Sequence, residues 1–412
     1  MAMTESQIRN LDTHIDAGKD AKKRKTNLPL TVISLAIFVL GFFFLGQTVS
    51  YTQAFLFLVT GVMGLTLYHA HFGFTSSFRH LIVSGRGIGI RAQMIMFIIA
   101  NLLFLPVLLQ GSILGHQVTG NVSQVGLSVL AGSIIFGIGM QLGDGCASGT
   151  LYHAGGGDIR GILTIIGFIV GSVIGSKDFS WWMSTPNIGP VSFIQSFGAF
   201  GGVLVSFILI AILFFIVYTV EKRRYGKVEP LFGKGQFKWE TVIKGPWSWV
   251  AGGFVLAVGN FILLLVSGKP WGVTSAFALW GAKAAQTFGI HVENWGYWQA
   301  PAKAADLHAS LFHNLETTDN IALMVGALLA AALAGKFPKR YFQNIPIQMI
   351  IGVLLGGVLM GYGARIAFGC NIGAYFSGIS SFSLHGWEWF VGAMIGSYIG
   401  IALRPVCKLK NK

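Results

Sequence analysis

Between Leu28 and Leu403 the chain is written in long apolar blocks separated by short polar or glycine-rich breaks. Residues 92–143 and 179–220 contain no Asp, Glu, Lys or Arg. A helical crossing of a bilayer needs roughly 20 apolar residues, so each of these stretches has room for one or two. Walking the blocks predicts ten helical crossings, over residues 28–47, 51–69, 88–110, 123–142, 159–176, 198–220, 248–267, 320–335, 345–363 and 385–403. Four stretches left between them, 70–84, 143–157, 271–289 and 367–381, are too apolar and glycine-rich for ordinary loops, yet too short or broken to cross. The hydrocarbon layer offers no water to bond an open backbone. These pieces are therefore expected as re-entrant segments, buried in protein or lining a polar cavity.

Two of the four hold the same phrase. "GDGCASGTLYHAGGG" (143–157) and "AFGCNIGAYFSGISS" (367–381) each set a cysteine after a glycine, and superposing Cys146 on Cys370 also matches Gly137 with Gly361, Gly139 with Gly363 and Gly149 with Gly373. With one extra residue, "GILTIIGFIVGSVIG" (161–175) lies on "GWEWFVGAMIGSYIG" (386–400) with six identities in fifteen. A weaker echo pairs "FGFTSSF" (72–78) with "WGVTSAF" (271–277). Each half reads as five crossings, and since five is odd, the second half enters from the opposite face. The expected fold is an all-α integral membrane protein of two inverted five-crossing repeats, each with two re-entrant half-helix segments, and such folds place the substrate path near the midplane.

Composition removes the soluble alternatives: 53% of residues are hydrophobic, 11% are charged, and mean hydropathy is +0.66. A net charge of +14 would suit a nucleic-acid partner, but the basic residues cluster in tails and loops, where they mark the cytoplasmic side. Residues 221–247 hold seven Lys or Arg against three acids, whereas 268–320 hold three Lys and four acids. The expected organisation is a cytoplasmic head over 1–27, a first membrane repeat over 28–220, a basic cytoplasmic linker over 221–247, a second repeat over 248–403 and a basic tail over 404–412, with both termini inside. Counting crossings then puts "KKRK" (22–25), Arg86, Arg91, "KFPKR" (336–340) and "KLKNK" (408–412) on the cytoplasmic side as well. The polar head precedes a first apolar run long enough to stay in the membrane, so no cleavable signal is read. Three cysteines, at 146, 370 and 407, are too few for a disulfide framework.

Gly145 and Gly369 let a helix begin abruptly at Cys146 and Cys370, and a helix start offers free N–H groups and positive dipole to an anion. A thiol is soft and polarizable, which suits a sulfur or selenium atom. Asn371 follows Cys370 onto the same path, and Thr75 and Ser76 offer hydroxyls from the first re-entrant piece. Arg365, beside the second motif, is the candidate attractor for the anion, with helix capping or snorkelling as the alternatives. Asp144 is expected to hold a helix end or pair with a basic neighbour, and Arg79 to anchor topology or to meet a departing anion. His153 and His385 read as hydrogen-bonded amphipathic side chains, Cys407 as a packing residue, and 288–301 as an external amphipathic cap and not a binding box. No GxxxxGK[ST] motif is present, so direct ATP-driven pumping is not expected. No cofactor or metal is called for. A thiol redox or persulfide relay through Cys146 and Cys370, and a soft-metal channel drawing on Met140, Met360 or Met394, stand as alternatives to anion transport.

The paired Gly-Cys motifs, the second extended through "ARIAFGCNIGAYFSGISSFSLHGW", resemble those of the YeeE/YedE family of bacterial sulfur-compound membrane transporters. "GIHVENWGYWQ" (289–299) is similar to the YedE branch. The resemblance runs over roughly residues 50–403. It implies an inner-membrane importer in which thiosulfate passes along a line of cysteines, a branch connected with selenium species, and a small cytoplasmic sulfur-carrier protein as acceptor. Cys146 and Cys370 occupy the family's two Gly-Cys positions. Where its thiosulfate importers carry a further cysteine, this chain has Thr75, Ser76 and Ser77.

Overall fold

The computed structural model describes residues 25–232, 239–338 and 345–411. The first 24 residues of the head with most of "KKRK", residues 233–238 of the linker, Lys339 and Arg340 of "KFPKR", and Lys412 lie outside the described residues. Ten long helices stand where ten crossings are predicted: α1 Leu28–Thr48, α2 Tyr51–His69, α4 Ile88–Gln110, α5 Leu127–Leu142, α7 Ile159–Lys177, α8 Phe193–Tyr225, α9 Trp249–Ser267, α11 Leu315–Leu333, α12 Ile347–Ile366 and α13 Leu384–Leu403. Among the described residues, nine stretches are long and apolar enough to cross a bilayer. The remaining helix, α13, has 20 residues and carries Glu388 near its start.

Helix ends follow local chemistry. Asn314 starts α11 five residues earlier than predicted, its Oδ1 accepting from the Thr317 N–H at 3.0 Å. The predicted crossing over 123–142 begins only at Leu127, because Gln124–Gly126 pairs as a strand with Asn187–Pro190. Predicted to run over 198–220, α8 begins at Phe193, kinks at Gly198 (φ 72°) and continues to Tyr225.

Each of the four intervening stretches contains a short buried helix: α3 Phe74–Ser84, α6 Ala147–Gly155, α10 Thr274–Thr287, and the π-helical Asn371–Ser377, which runs on into Gly378–Ser380. At the centre α5 and α12 pack antiparallel, with Gly132 and Gly139 against the backbone of Gly363 and Gly356. Around that pair, α7 packs on α12 and α13 on α5, α2 on α11 and α9 on α4, α1 on α11 and α8 on α4. Glycines allow the closeness: a Cβ on Gly167 or Gly171 would strike the Leu354 or Val358 carbonyl, and one on Gly357 or Gly361 the Thr164 or Phe168 carbonyl. Helices α1 and α8 present Leu40, Phe43, Phe200 and Phe215 outward, an apolar exterior that only lipid or protein can cover.

Candidate functional site

The turn Gly143–Asp144–Gly145 ends α5, and the turn Ala367–Phe368–Gly369 ends α12. Both pass through the left-handed region at the same place, Asp144 at φ 58° and Phe368 at φ 57°. Asp adopts that region readily, whereas Phe does so rarely, so this turn shape is held by its surroundings. Gly369, at φ 144°, has no room for a Cβ against the Ala374 N–H. Each turn delivers its cysteine as the cap residue of the next short helix: Cys146 opens α6 and Cys370 opens the π-helix. The Cys370 Sγ accepts from the Ile372 N–H at 3.4 Å, and the Cys146 Sγ lies 3.4 Å from the Ser148 hydroxyl. Both thiols are buried and free. The two short helices touch.

Polar atoms without a protein partner gather on the same segments. Thr75 Oγ1, both side-chain amide atoms of Asn371, the Tyr375 hydroxyl and Trp389 Nε1 are all buried and unpaired, whereas buried polar groups are ordinarily bonded. Tyr375 joins the halves, its ring meeting Phe74 and Phe78 of α3, Phe97 of α4, and Trp389 and Phe390 of α13 at centroid separations of 4.9–6.3 Å. Among the three hydroxyls of α3's first turn, Ser76 and Ser77 donate back to the Gly73 carbonyl at 3.0 and 2.7 Å. Thr75 alone keeps its oxygen unengaged.

A cavity of about 410 Å³ reaches Gly369 and Gly373, on either side of Cys370. Its walls carry Arg365, Lys269, Lys303 and Glu316. Arg365 donates to the Tyr297 hydroxyl at 2.5 Å and to Thr274 Oγ1 at 2.6 Å, and its Nε is unpartnered. Glu316 accepts from the Ser275 N–H at 2.8 Å, near the start of α10. Three cations against one carboxylate give the cavity a positive field, and a concave, low-dielectric wall concentrates it.

Asp144 pairs with arginines, as its position suggests: Arg79 at 2.9 Å, Arg404 at 3.1 Å and Arg160 at 3.5 Å. Arg79 is buried and ion-paired, because α3 turns its C-terminal half against the end of α5. Arg365 neither caps nor snorkels, but donates inward from a buried position. Within the 288–301 stretch, Tyr297, on its short helix Gly296–Gln299, forms a wall of the cavity. On its exposed rim, Glu293 has a pKa lowered to about 2 by its own backbone N–H, with His291 and Gln286 adding to the effect. Lys269, Lys303, Tyr297 and Glu316 escape sequence reasoning because they are spread over the long connection from α9 to the first turn of α11 and converge only on folding. The available signal was charge beside predicted crossing ends. His385 is buried and meets the Ser383 hydroxyl at 2.7 Å, and Cys407 sits apart, against Gly352 of α12. Met140 and Met360 are buried in α5 and α12, and among the described residues no group of three His, Cys, Asp or Glu is placed to hold a metal ion.

Residues 69–399 match the family described as sulphur transport. The chain is similar to the probable transporter YedE of Escherichia coli (strain K12), with 35% identity over 43% of this chain and 43% of that protein. It is also similar to the thiosulfate transporter TsuA of Spirochaeta thermophila, with 26% identity over 65% of this chain and 75% of that protein, and to the TsuA of Escherichia coli (strain K12), with 24% identity over 65% and 70%. The segments aligned with the YedE proteins of Escherichia coli and Salmonella typhimurium span less than half of those proteins' length.

Proposed function

The chain belongs to the sulphur-transport family of multi-pass membrane proteins, and from that premise we propose that it imports a small sulfur-containing oxyanion of the thiosulfate class along a path past Cys370 and then Cys146. The observation that carries the reading is the doubled Gly-Cys turn, which caps two touching buried helices with thiols, the second turn bordering a positively charged cavity through Gly369 and Gly373.

In this reading the cavity is the outer mouth. Its field collects an anion, and Arg365 offers a guanidinium in place of water. At the constriction the anion exchanges hydration for helix-start N–H groups, the Asn371 amide and the two thiols, whose polarizable sulfur suits a terminal sulfur atom. The Thr75 hydroxyl faces the same need from α3. Transport requires no bond to form or break.

The proposed architecture is a pair of inverted five-crossing repeats, with the four short helices entering from both faces of a bacterial inner membrane and both termini in the cytoplasm. Helix packing supports it, since exchanging α5 with α12, α7 with α13, α2 with α9, α4 with α11 and α1 with α8 keeps the central α5–α12 pair and turns α7–α12 into α13–α5, α2–α11 into α9–α4 and α1–α11 into α8–α4, while the packing of α1 on α2 has no comparable counterpart between α8 and α9. The exchange of α1 with α8 favours a division ahead of Phe193 and not at the 221–247 linker.

The test is uptake of labelled thiosulfate by a strain lacking its own sulfur importers. Cys146→Ala and Cys370→Ala should each lower uptake about tenfold or more at unchanged membrane abundance, as expected when a hydrogen bond to a charged group worth roughly 1.5–3 kcal/mol is lost. Cys407→Ala should be silent. Equal uptake by all three variants would end the thiol-path reading.

A further inference from the structure

Because α5 and α12 run antiparallel, the turn that follows α5 lies at the other end of the pair from Arg365 and its cavity. There three arginines from three elements converge: Arg79 from α3, Arg160 from the first turn of α7 and Arg404 from the end of α13. Arg160 is already satisfied, gripping Asp158 through Nε at 3.0 Å and Nη2 at 2.5 Å. Arg79 and Arg404 share the one carboxylate of Asp144, at 2.9 and 3.1 Å, Arg79 also donating to Gln141 Oε1 and Arg404 to the Gln141 and Lys410 carbonyls. Three guanidiniums against two carboxylates leave one positive charge in excess.

Arg79 and Arg404 are more than nine-tenths buried, at 8% and 2% exposure, and the Nε of each has no partner. A guanidinium fork suits a tetrahedral oxyanion as well as it suits a carboxylate. The Asp144 side chain keeps 24% of its surface exposed and Arg160 keeps 34%, so the cluster opens to solvent on one side. Asp144 stands two residues before Cys146, at the φ of 58° that ends α5. The matching place in the second motif is Phe368, so the turn beside the cavity carries no carboxylate of its own.

We infer that the Arg79–Arg160–Arg404 cluster is the release site for the transported oxyanion, held at rest by the Asp144 carboxylate, which the departing anion displaces and which then returns to expel it. The inference rests on the proposed path past Cys146 and adds its exit. An internal carboxylate that refills the site keeps the protein from retaining its cargo and from loading anions backwards from that side. A competitor that fills the site nine-tenths of the time weakens apparent affinity about tenfold.

The experiment is calorimetric titration of the purified full chain with sulfate and, separately, with thiosulfate. It is done in an Arg365→Gln background so that the cavity contributes little. Asp144→Asn should tighten sulfate binding about tenfold, and Asp144→Gly, which the left-handed backbone there accepts without strain, should do the same. Adding Arg404→Gln to either should remove the gain. In the Arg365 wild-type chain, Asp144→Asn should slow thiosulfate uptake while binding is tighter. Unchanged or weaker sulfate binding in both Asp144 variants, or failure of both to yield a monodisperse protein, would make Asp144 a structural counterion and overturn the inference. Sulfate binding at the cluster needs neither thiol. A tenfold gain without cysteine-dependent uptake would therefore leave an anion site at the cluster but sink the transport reading and the release role with it, whereas cysteine-dependent uptake without the gain would sink this inference alone.

Discussion

At Arg365 a single side chain carries most of the cavity's directed chemistry, two short donated bonds plus an unpaired Nε. Arg365→Gln removes the charge and should raise the KM for thiosulfate about tenfold, with the maximal rate kept within about threefold, if loss of one charge-assisted contact weakens binding more than passage. Arg365→Lys keeps the charge without the fork and should fall between the two. Steady-state uptake kinetics check both. Cys370→Ser separates softness from size, since a serine that restores the full rate would mean the site needs only a small donor. Which residues were legible follows from distance along the chain. Cys146, Cys370, Gly145, Gly369, Arg365 and Asn371 sit within or beside one repeated phrase, so the phrase names them. Lys303, Tyr297 and Glu316 reach the same cavity only by folding of a long loop, and no local periodicity marks that convergence. Ser76 looked equal to Thr75 in sequence. The backbone of the turn separates them by offering the Gly73 carbonyl to Ser76 and Ser77.

At the scale of elements, the helices that matter are those that approach closely enough to hold the two turns. Gly361 lies against the Phe168 carbonyl and Gly167 against the Leu354 carbonyl, with backbone and not a movable side chain as neighbour. Gly361→Leu or Gly167→Leu should therefore cost at least the roughly 1–3 kcal/mol typical of overpacking and lower both the melting temperature and the yield of monodisperse protein. Ile174→Leu, on the exposed face of the same α7, should change neither. A stable Gly361→Leu variant would show that the α7–α12 seam is looser than the geometry implies. The blocks of apolar residues marked all ten helices, and for nine of them length and hydropathy suffice. Their ends were misjudged where a cap or a strand pair decided, as at Asn314 and at Gln124–Gly126, and these depend on single side chains or distant partners. The four short helices announced themselves as glycine-rich interruptions, but their helix type did not. The π-helix after Cys370 has no counterpart in α6, although the two phrases align.

For the whole molecule, the central expectation is two halves of opposite orientation sharing one path. Charge in the loops supplied the orientation, since residues 221–247 are basic and 268–320 are not. A fluorescent protein fused after Lys412 should fluoresce, as cytoplasmic folding permits, and alkaline phosphatase fused after Gly289 should be active; the reverse pattern would invert the orientation. Ion pairs refine this picture: Arg86 and Arg91 meet the buried Glu221 at 3.5 and 2.9 Å, so they tie the α4 start to α8. The most direct test of the account is flux of labelled thiosulfate into liposomes containing only the purified chain, compared with the Cys146→Ala, Cys370→Ala double variant and with sulfate and selenite as competitors. The account predicts saturable thiosulfate flux that the double variant loses. Flux of a selenium species alone, or thiosulfate flux undiminished in the double variant, would contradict it.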